Sequence, residues 1–169
     1  MPRTHTPSTD ITRMSVDAIV NAANPTLLGG GGVDGAIHRA AGPQLREACA
    51  ALNGCAPGDA KATKGFDLPA NHVIHTVGPI WHEGRQDEDA TLRRCYRRAI
   101  ALADQMDDRW VAFPSISTGA YGFPIERAAG IATQALRDAL RSAESVEGVV
   151  ICCFSLADAR HYRAALVTP

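Results

Sequence analysis

Short β-branched runs alternate along the chain with longer stretches whose apolar residues fall at helical spacing. Ala18-Ile19-Val20 opens an apolar strand over about 18–22. His72-Val-Ile-His-Thr-Val77 is a continuous run of the kind buried on both faces, and Trp110–Phe113 and Gly148–Phe154 repeat it. Residues 59–66 alternate small and polar positions, as a half-exposed strand does. Leu45, Ala48, Cys49 and Leu52 are spaced i, i+3, i+4, i+7 and mark a helix over 43–53, with Gly54 placed as its C-cap. Leu92, Cys95, Tyr96, Ala99, Leu102 and Ala103 share one face of a helix over 87–106, with arginines opposite. Further helices are expected over 33–41, from Pro124 to Leu140 and from Asp158 to Val167. Residues 1–8 are expected to be a loose N-terminal arm, and 9–169 a single domain. The alternation predicts an α/β fold, a three-layer α/β/α sandwich around a mostly parallel mixed sheet.

Two loops interrupt this pattern with residues that the fold does not need. After the first strand come Asn21, Asn24, Pro25 and then four glycines, Gly29 to Gly32, before a helix opens at Val33. Ordering consecutive glycines costs chain entropy, and what they supply is bare backbone N–H groups beside a helix N-terminus. That combination is an anion cradle. Asp34 at its mouth would repel a bare phosphate, which places a polar reaction centre next to the phosphate site. Ser115-Ile-Ser-Thr-Gly-Ala-Tyr-Gly122 is a second small-residue loop after a strand and before a helix. In a parallel sheet both loops lie on the rim where ligands bind. A facing pair suits a diphosphate.

Composition narrows the partners. The 169 residues are 46% hydrophobic and 21% charged, and 17 basic against 18 acidic side chains give a net charge of -1. Direct nucleic-acid binding is disfavoured, since it normally shows a basic excess. No apolar run approaches the roughly 20 residues that span a bilayer, so no membrane partner is expected. The polar start, Met1 to Asp10, has no signal-peptide core. Five cysteines without framework spacing read as reduced thiols, which fits a cytoplasmic protein.

Other motifs are weaker. Gly30-x-Gly32-x-x-Gly35 matches the dinucleotide fingerprint, but Asn21 to Gly29 intervene between strand and glycines, and no acidic residue ends a second strand. No phosphate-loop GxxxxGK[ST] is present, and Ser115 and Ser117 lack the GxSxG elbow of serine hydrolases. Asp34 and His38, four apart on one helix, can pair. His72 and His75 are read as sharing a strand face with Cys152 or Cys153 in reach, but without zinc-ligand spacing they read as structural histidines.

Taken in order, Asp10-Ile-Thr, Val16-Asp-Ala-Ile-Val-Asn-Ala-Ala-Asn24, Gly29 to His38, Val73-Ile-His-Thr-Val-Gly-Pro79 and Pro114-Ser-Ile-Ser-Thr-Gly-Ala-Tyr-Gly-Phe-Pro124 resemble a macrodomain. Within that superfamily the chain looks like the MacroD-type ADP-ribosylhydrolases. The resemblance implies a monomer with a site for ADP-ribose and activity on mono-ADP-ribosylated proteins and O-acetyl-ADP-ribose. Neither a metal nor a cofactor is implied. Asp10 would accept from the adenine amino group, the Ile11 backbone would contact the ring, and Phe154 would pack near it. Ala23, Gly30, Gly31, Gly32 and Val33 on one side, and Ser117, Thr118, Gly119, Ala120 and Tyr121 on the other, would enclose the diphosphate and distal ribose. Asn24 would hydrogen-bond that ribose, Asn21 would order that end of the site, and Asp34 would orient or activate the attacking water. Thr9 stands where the family usually has Gly, and Ala120 where a larger aliphatic residue is common. The alternatives are a reader of ADP-ribose without turnover and a dinucleotide-dependent oxidoreductase. Retention of Asn21, Asn24 and Asp34 with the full glycine loop favours the hydrolase.

Overall fold

The computed structural model describes residues 3–5 and 10–169. Thr9 lies outside them. Six strands form one mixed sheet: β1 (Arg3–His5), β2 (Ala18–Ala23), β3 (Ala60–Lys64), β4 (His72–Val77), β5 (Trp110–Pro114) and β6 (Gly148–Cys152). Their order is β1-β6-β5-β2-β4-β3, parallel throughout except that β3 runs antiparallel to β4 at one edge. Arg3–His5 pair with Gly148–Val150, so part of the expected loose arm is an edge strand. The sequence Arg3-Thr4-His5 carries no apolar strand pattern.

The helices are α1 (Gly32–Ala41), α2 (Pro43–Ala50), α3 (Glu88–Gln105), α4 (Ile125–Ser142) and α5 (Leu156–Val167). Side-chain alternation sorts the layers. Ile19, Ala23, Val73, Val77, Ala112 and Val150 face α1 and α2, meeting Ile37, Leu45 and Cys49. Ala18, Val20, Ile74, Val111, Phe113 and Ile151 face the layer of α3, α4 and α5. The fold is therefore the three-layer α/β/α sandwich. α2 stops at Ala50, short of 53, and Gly54 instead fits a left-handed turn (φ +78°) where a Cβ would meet the Pro25 carbonyl at 2.7 Å. β6 ends at Cys152 and leaves Phe154 outside the strand, 81% exposed. Ser155 caps α5 by accepting from the Asp158 N–H, which starts that helix two residues ahead of Asp158.

β2 and β5 are neighbours, yet the chain leaves β2 for α1 on one face and β5 for α4 on the other. Such a reversal opens a crevice at the carboxyl ends of the strands. The two unusual loops flank it.

Candidate functional site

The crevice consists of two adjoining cavities that share Val33 and Phe154 as walls. The first, about 370 Å³, lies between Asp10, Ile11, Ala36 and the ends of β5 and β6 at Pro114, Cys152 and Cys153. The second, about 290 Å³, is enclosed by Ala23, Asn24, Gly30, Gly31, Gly32 and Asp34 on one side, and Ser117, Gly119, Ala120 and Tyr121 on the other. Each is within or near the size range of small-molecule sites.

Asp34 sits in the first turn of α1 and is 5% exposed. Its Oδ1 accepts from Asn21 Nδ2 at 2.9 Å. The same Asn21 amide meets His75 Nδ1 at 3.1 Å, because Asn21 and His75 are register partners across the β2–β4 pair. The other imidazole nitrogen, Nε2, lies 3.0 Å from Thr63 Oγ1 and 3.5 Å from Cys49 Sγ. An amide group offers two hydrogens, so Asn21 can donate to both acceptors. The opposite amide orientation would set its oxygen against the Asp34 carboxylate. His75 Nδ1 is then the acceptor, and Nε2 carries the proton.

Burial, reinforced by nearby His38, lowers the His75 pKa to about 3, so the ring stays neutral at physiological pH. Burial also raises the Cys49 thiol to about 11, with the Asp34 charge adding to it. This Cys49–His75 pair is inert, a fixed support. His38 Nε2 lies 3.4 Å from Asp34 Oδ1, as the i,i+4 spacing predicts, but makes no hydrogen bond among the described residues. His72, by contrast, points the opposite way from His75 and meets Asp108 Oδ1 at 2.9 Å. The two histidines are three residues apart on the strand, which places them on opposite faces and overturns the shared-face reading.

Asn24 folds its own loop. Its Nδ2 donates to the Gly29 carbonyl at 2.9 Å, and its Oδ1 accepts from the Thr26 N–H and hydroxyl. One amide hydrogen is left over, and the residue lines the second cavity. Gly32 begins α1 at φ +57°, and a Cβ on Gly35 would meet the Gly30 carbonyl at 2.5 Å. Glycine at 35 therefore lets the loop pack against its own helix. Asp10 Oδ1 accepts from the Thr12 N–H and hydroxyl at the start of a short 3₁₀ turn, Ile11–Arg13.

The second loop is held from beneath by residues the sequence did not single out for the site. Tyr162 OH lies 2.6 Å from Ser115 Oγ, and Tyr96 OH accepts from the Ile116 N–H at 3.3 Å. Gly78, just past β4, lets the loop cross: a Cβ there would lie 2.1 Å from Ser117 Oγ. Ser117 adopts φ +66°, unusual for a side chain-bearing residue, and its buried Oγ has no partner among the described residues. Thr118 turns away from the cavity and donates to Ser115 Oγ and its carbonyl, so it supports the loop and does not line the site. Asn21 likewise lies beneath the cavity, fully buried, and reaches it only through Asp34.

Asp10 and Ile11, the glycine loop, Asn24, Asp34, Ser117 to Tyr121 without Thr118, and Phe154 thus meet at one crevice. Pro114, Ile116, Ala36 and Gly78 join them as lining residues that sequence reading missed. Only proximity of strand ends could have found them.

Comparison with known proteins bears on the family and the fold. The Macro domain model matches residues 20–132. A macro domain-containing protein of Ralstonia nicotianae is 60% identical over 157 residues, covering 93% of this chain and 90% of the relative. One from Chlorobaculum tepidum is 57% identical over 162 residues, covering 96% and 94%. An Oceanobacillus iheyensis macrodomain solved with ADP superimposes with a TM-score of 0.90 at 43% identity, covering 95% of this chain and 88% of that one. A Trypanosoma brucei macrodomain in complex with ADP-ribose gives 0.89 at 41% identity, covering 96% and 68%. The chain belongs to the macro domain family.

Proposed function

We propose that the protein is a MacroD-type ADP-ribosylhydrolase. It releases ADP-ribose from mono-ADP-ribosylated glutamate and aspartate side chains. The observation that carries this reading is the buried carboxylate of Asp34, fixed by Asn21 and His75 and facing the cavity beside four glycines. A pure binding site has little use for an oriented carboxylate next to an anion cradle, since it repels the phosphate.

In this reading adenine lies between Asp10, Ile11 and Phe154. The N–H groups of Gly30 to Val33, the Ser117 hydroxyl and the second loop hold the diphosphate. The free amide hydrogen of Asn24 meets the distal ribose. Asp34 orients a water toward the anomeric carbon. The water oxygen bonds to that carbon as the bond to the side-chain carboxylate breaks, and the carboxylate leaves with the bonding pair. The proton lost by the water passes to an acceptor at the site, Asp34 itself or a diphosphate oxygen of the ligand. O-acetyl-ADP-ribose carries an acetyl ester on a hydroxyl of the same ribose; the water adds to its carbonyl carbon, the acyl C–O bond breaks, and acetate and the free ribose hydroxyl result, so deacetylation is a second activity of the site. None of these steps calls on a metal or a cofactor.

The test is incubation with a glutamate-linked mono-ADP-ribosylated protein and with O-acetyl-ADP-ribose, quantifying free ADP-ribose. Multiple turnovers are expected. Tight binding of ADP-ribose with no release from either substrate would make the protein a reader and end this proposal.

A further inference from the structure

A second groove, about 340 Å³, lies on the other side of the glycine loop. Gly30 walls both it and the ribose end of the crevice. His38 lines the groove, and its buried Nε2 stands 3.4 Å from Asp34 Oδ1, so one imidazole ring separates the groove from the proposed reacting centre. Its charged lining residues are Arg39 and Arg46, with the Asp67 carboxylate behind Gly42 at one edge. Exposed Leu28 adds a small apolar contact at the rim.

The two arginines are exposed and have no ion pair among the described residues. Other exposed arginines, Arg93 and Arg97 among them, also have no ion pair among the described residues, so what sets Arg39 and Arg46 apart is that both line one groove. Helix electrostatics explain a basic residue at 39, in the last turn of α1. They give no reason for one at 46, the fourth of the eight residues of α2. Nor does a general basic excess account for the pair, since the chain carries a net charge of -1.

Resting on the hydrolase reading above, we propose that this groove receives the polypeptide of the modified protein, and that Arg39 and Arg46 select segments with further carboxylates beside the modified residue. The modified group is itself an aspartate or glutamate, and acidic clusters are where such residues gather. The groove lies just across Gly30 from the crevice, so a polypeptide that leaves the crevice over that loop meets it. Two exposed arginines add a modest, salt-sensitive preference and no effect on the nucleotide.

The experiment compares wild type with the double variant Arg39→Ala/Arg46→Ala on three substrates. These are a glutamate-modified peptide flanked by aspartates, the same peptide flanked by asparagines, and O-acetyl-ADP-ribose. KM for the acidic peptide is expected to rise about 3- to 30-fold in the variant at low salt, shrinking at 0.5 M salt. KM for the neutral peptide and for O-acetyl-ADP-ribose should stay within twofold, as should ADP-ribose affinity, and Tm should stay within about 2 °C. Equal behaviour of the two peptides in wild type would overturn the proposal, as would an equal change on all three substrates. Competition by a single-stranded oligonucleotide but not by an unmodified acidic peptide would assign the groove to nucleic acid and also overturn it. Absence of turnover on every substrate would instead defeat the hydrolase reading. The relative affinity of the two peptides would still report on the groove, and equal affinity would refute it.

Discussion

Asn21→Ala tests whether the buried network aims Asp34. The substitution removes an amide that serves two buried acceptors, Asp34 Oδ1 at 2.9 Å and His75 Nδ1 at 3.1 Å. Each acceptor left without its donor costs about 1–3 kcal/mol, with the charged one at the upper end. With the charged acceptor near the upper end and the neutral one near the lower, the expected destabilisation is about 3–4 kcal/mol. In a domain of this length about 1 kcal/mol corresponds to about 2–4 °C in Tm, so a fall of roughly 6–16 °C is expected by thermal denaturation. The kinetic effect should be as selective. Asn21 does not line the cavity, so ADP-ribose affinity should stay within a few-fold. Asp34, no longer held, loses its aim, and the rate of ADP-ribose release should fall about 10- to 100-fold in kcat. A stability loss under about 0.5 kcal/mol, or a loss confined to KM, would refute the network as the device that positions Asp34.

Three further outcomes follow from the same geometry. Phe154 is 81% exposed and walls both cavities, so Phe154→Ala should weaken ADP-ribose binding about 10-fold by calorimetry while moving unfolding stability by less than about 0.5 kcal/mol. Gly78→Ala places a Cβ 2.1 Å from Ser117 Oγ and must push the second loop outward. It should cost about 1–3 kcal/mol in denaturant unfolding and weaken ADP-ribose binding at least 10-fold. His75 has its pKa lowered to about 3 by burial, so the folded state binds fewer protons than the unfolded chain below an ordinary histidine pKa. Stability should therefore fall with acidification through that window by up to about 1.4 kcal/mol per pH unit more in wild type than in His75→Gln. Parallel stability–pH curves for the two proteins would contradict the buried neutral ring.

The fold was legible where pattern and burial coincide. Val73 to Val77 is buried on both faces and reads as one apolar run, and the α3 stripe from Leu92 to Ala103 is the face that packs. β1 was not, because Arg3-Thr4-His5 has no apolar pattern to mark it as a strand. In the candidate site, the glycines, Asn24 and Asp34 announce themselves because such residues are costly anywhere except beside a ligand. Their supports do not. Tyr162 reaches Ser115 across 47 residues of sequence, and Tyr96 reaches Ile116 across 20. In the sequence each is one more apolar position on a helix. Thr118 looked like a site residue because it sits within a small-residue loop, but its hydroxyl satisfies Ser115 instead. His75 reads as core and is core, yet its ring is what the Asn21 amide leans on. Register, not local sequence, brings those two together.

The central claim is that Asp34 acts in turnover and not merely in shaping the pocket. The most direct measurement compares wild type with Asp34→Ala for release of ADP-ribose from a glutamate-modified protein, with ADP-ribose affinity determined for both. The account predicts a fall in turnover of about 10²-fold or more with affinity kept within a few-fold. Unchanged turnover in the variant would contradict it, and would move the chemistry to the substrate's own phosphate or to another residue.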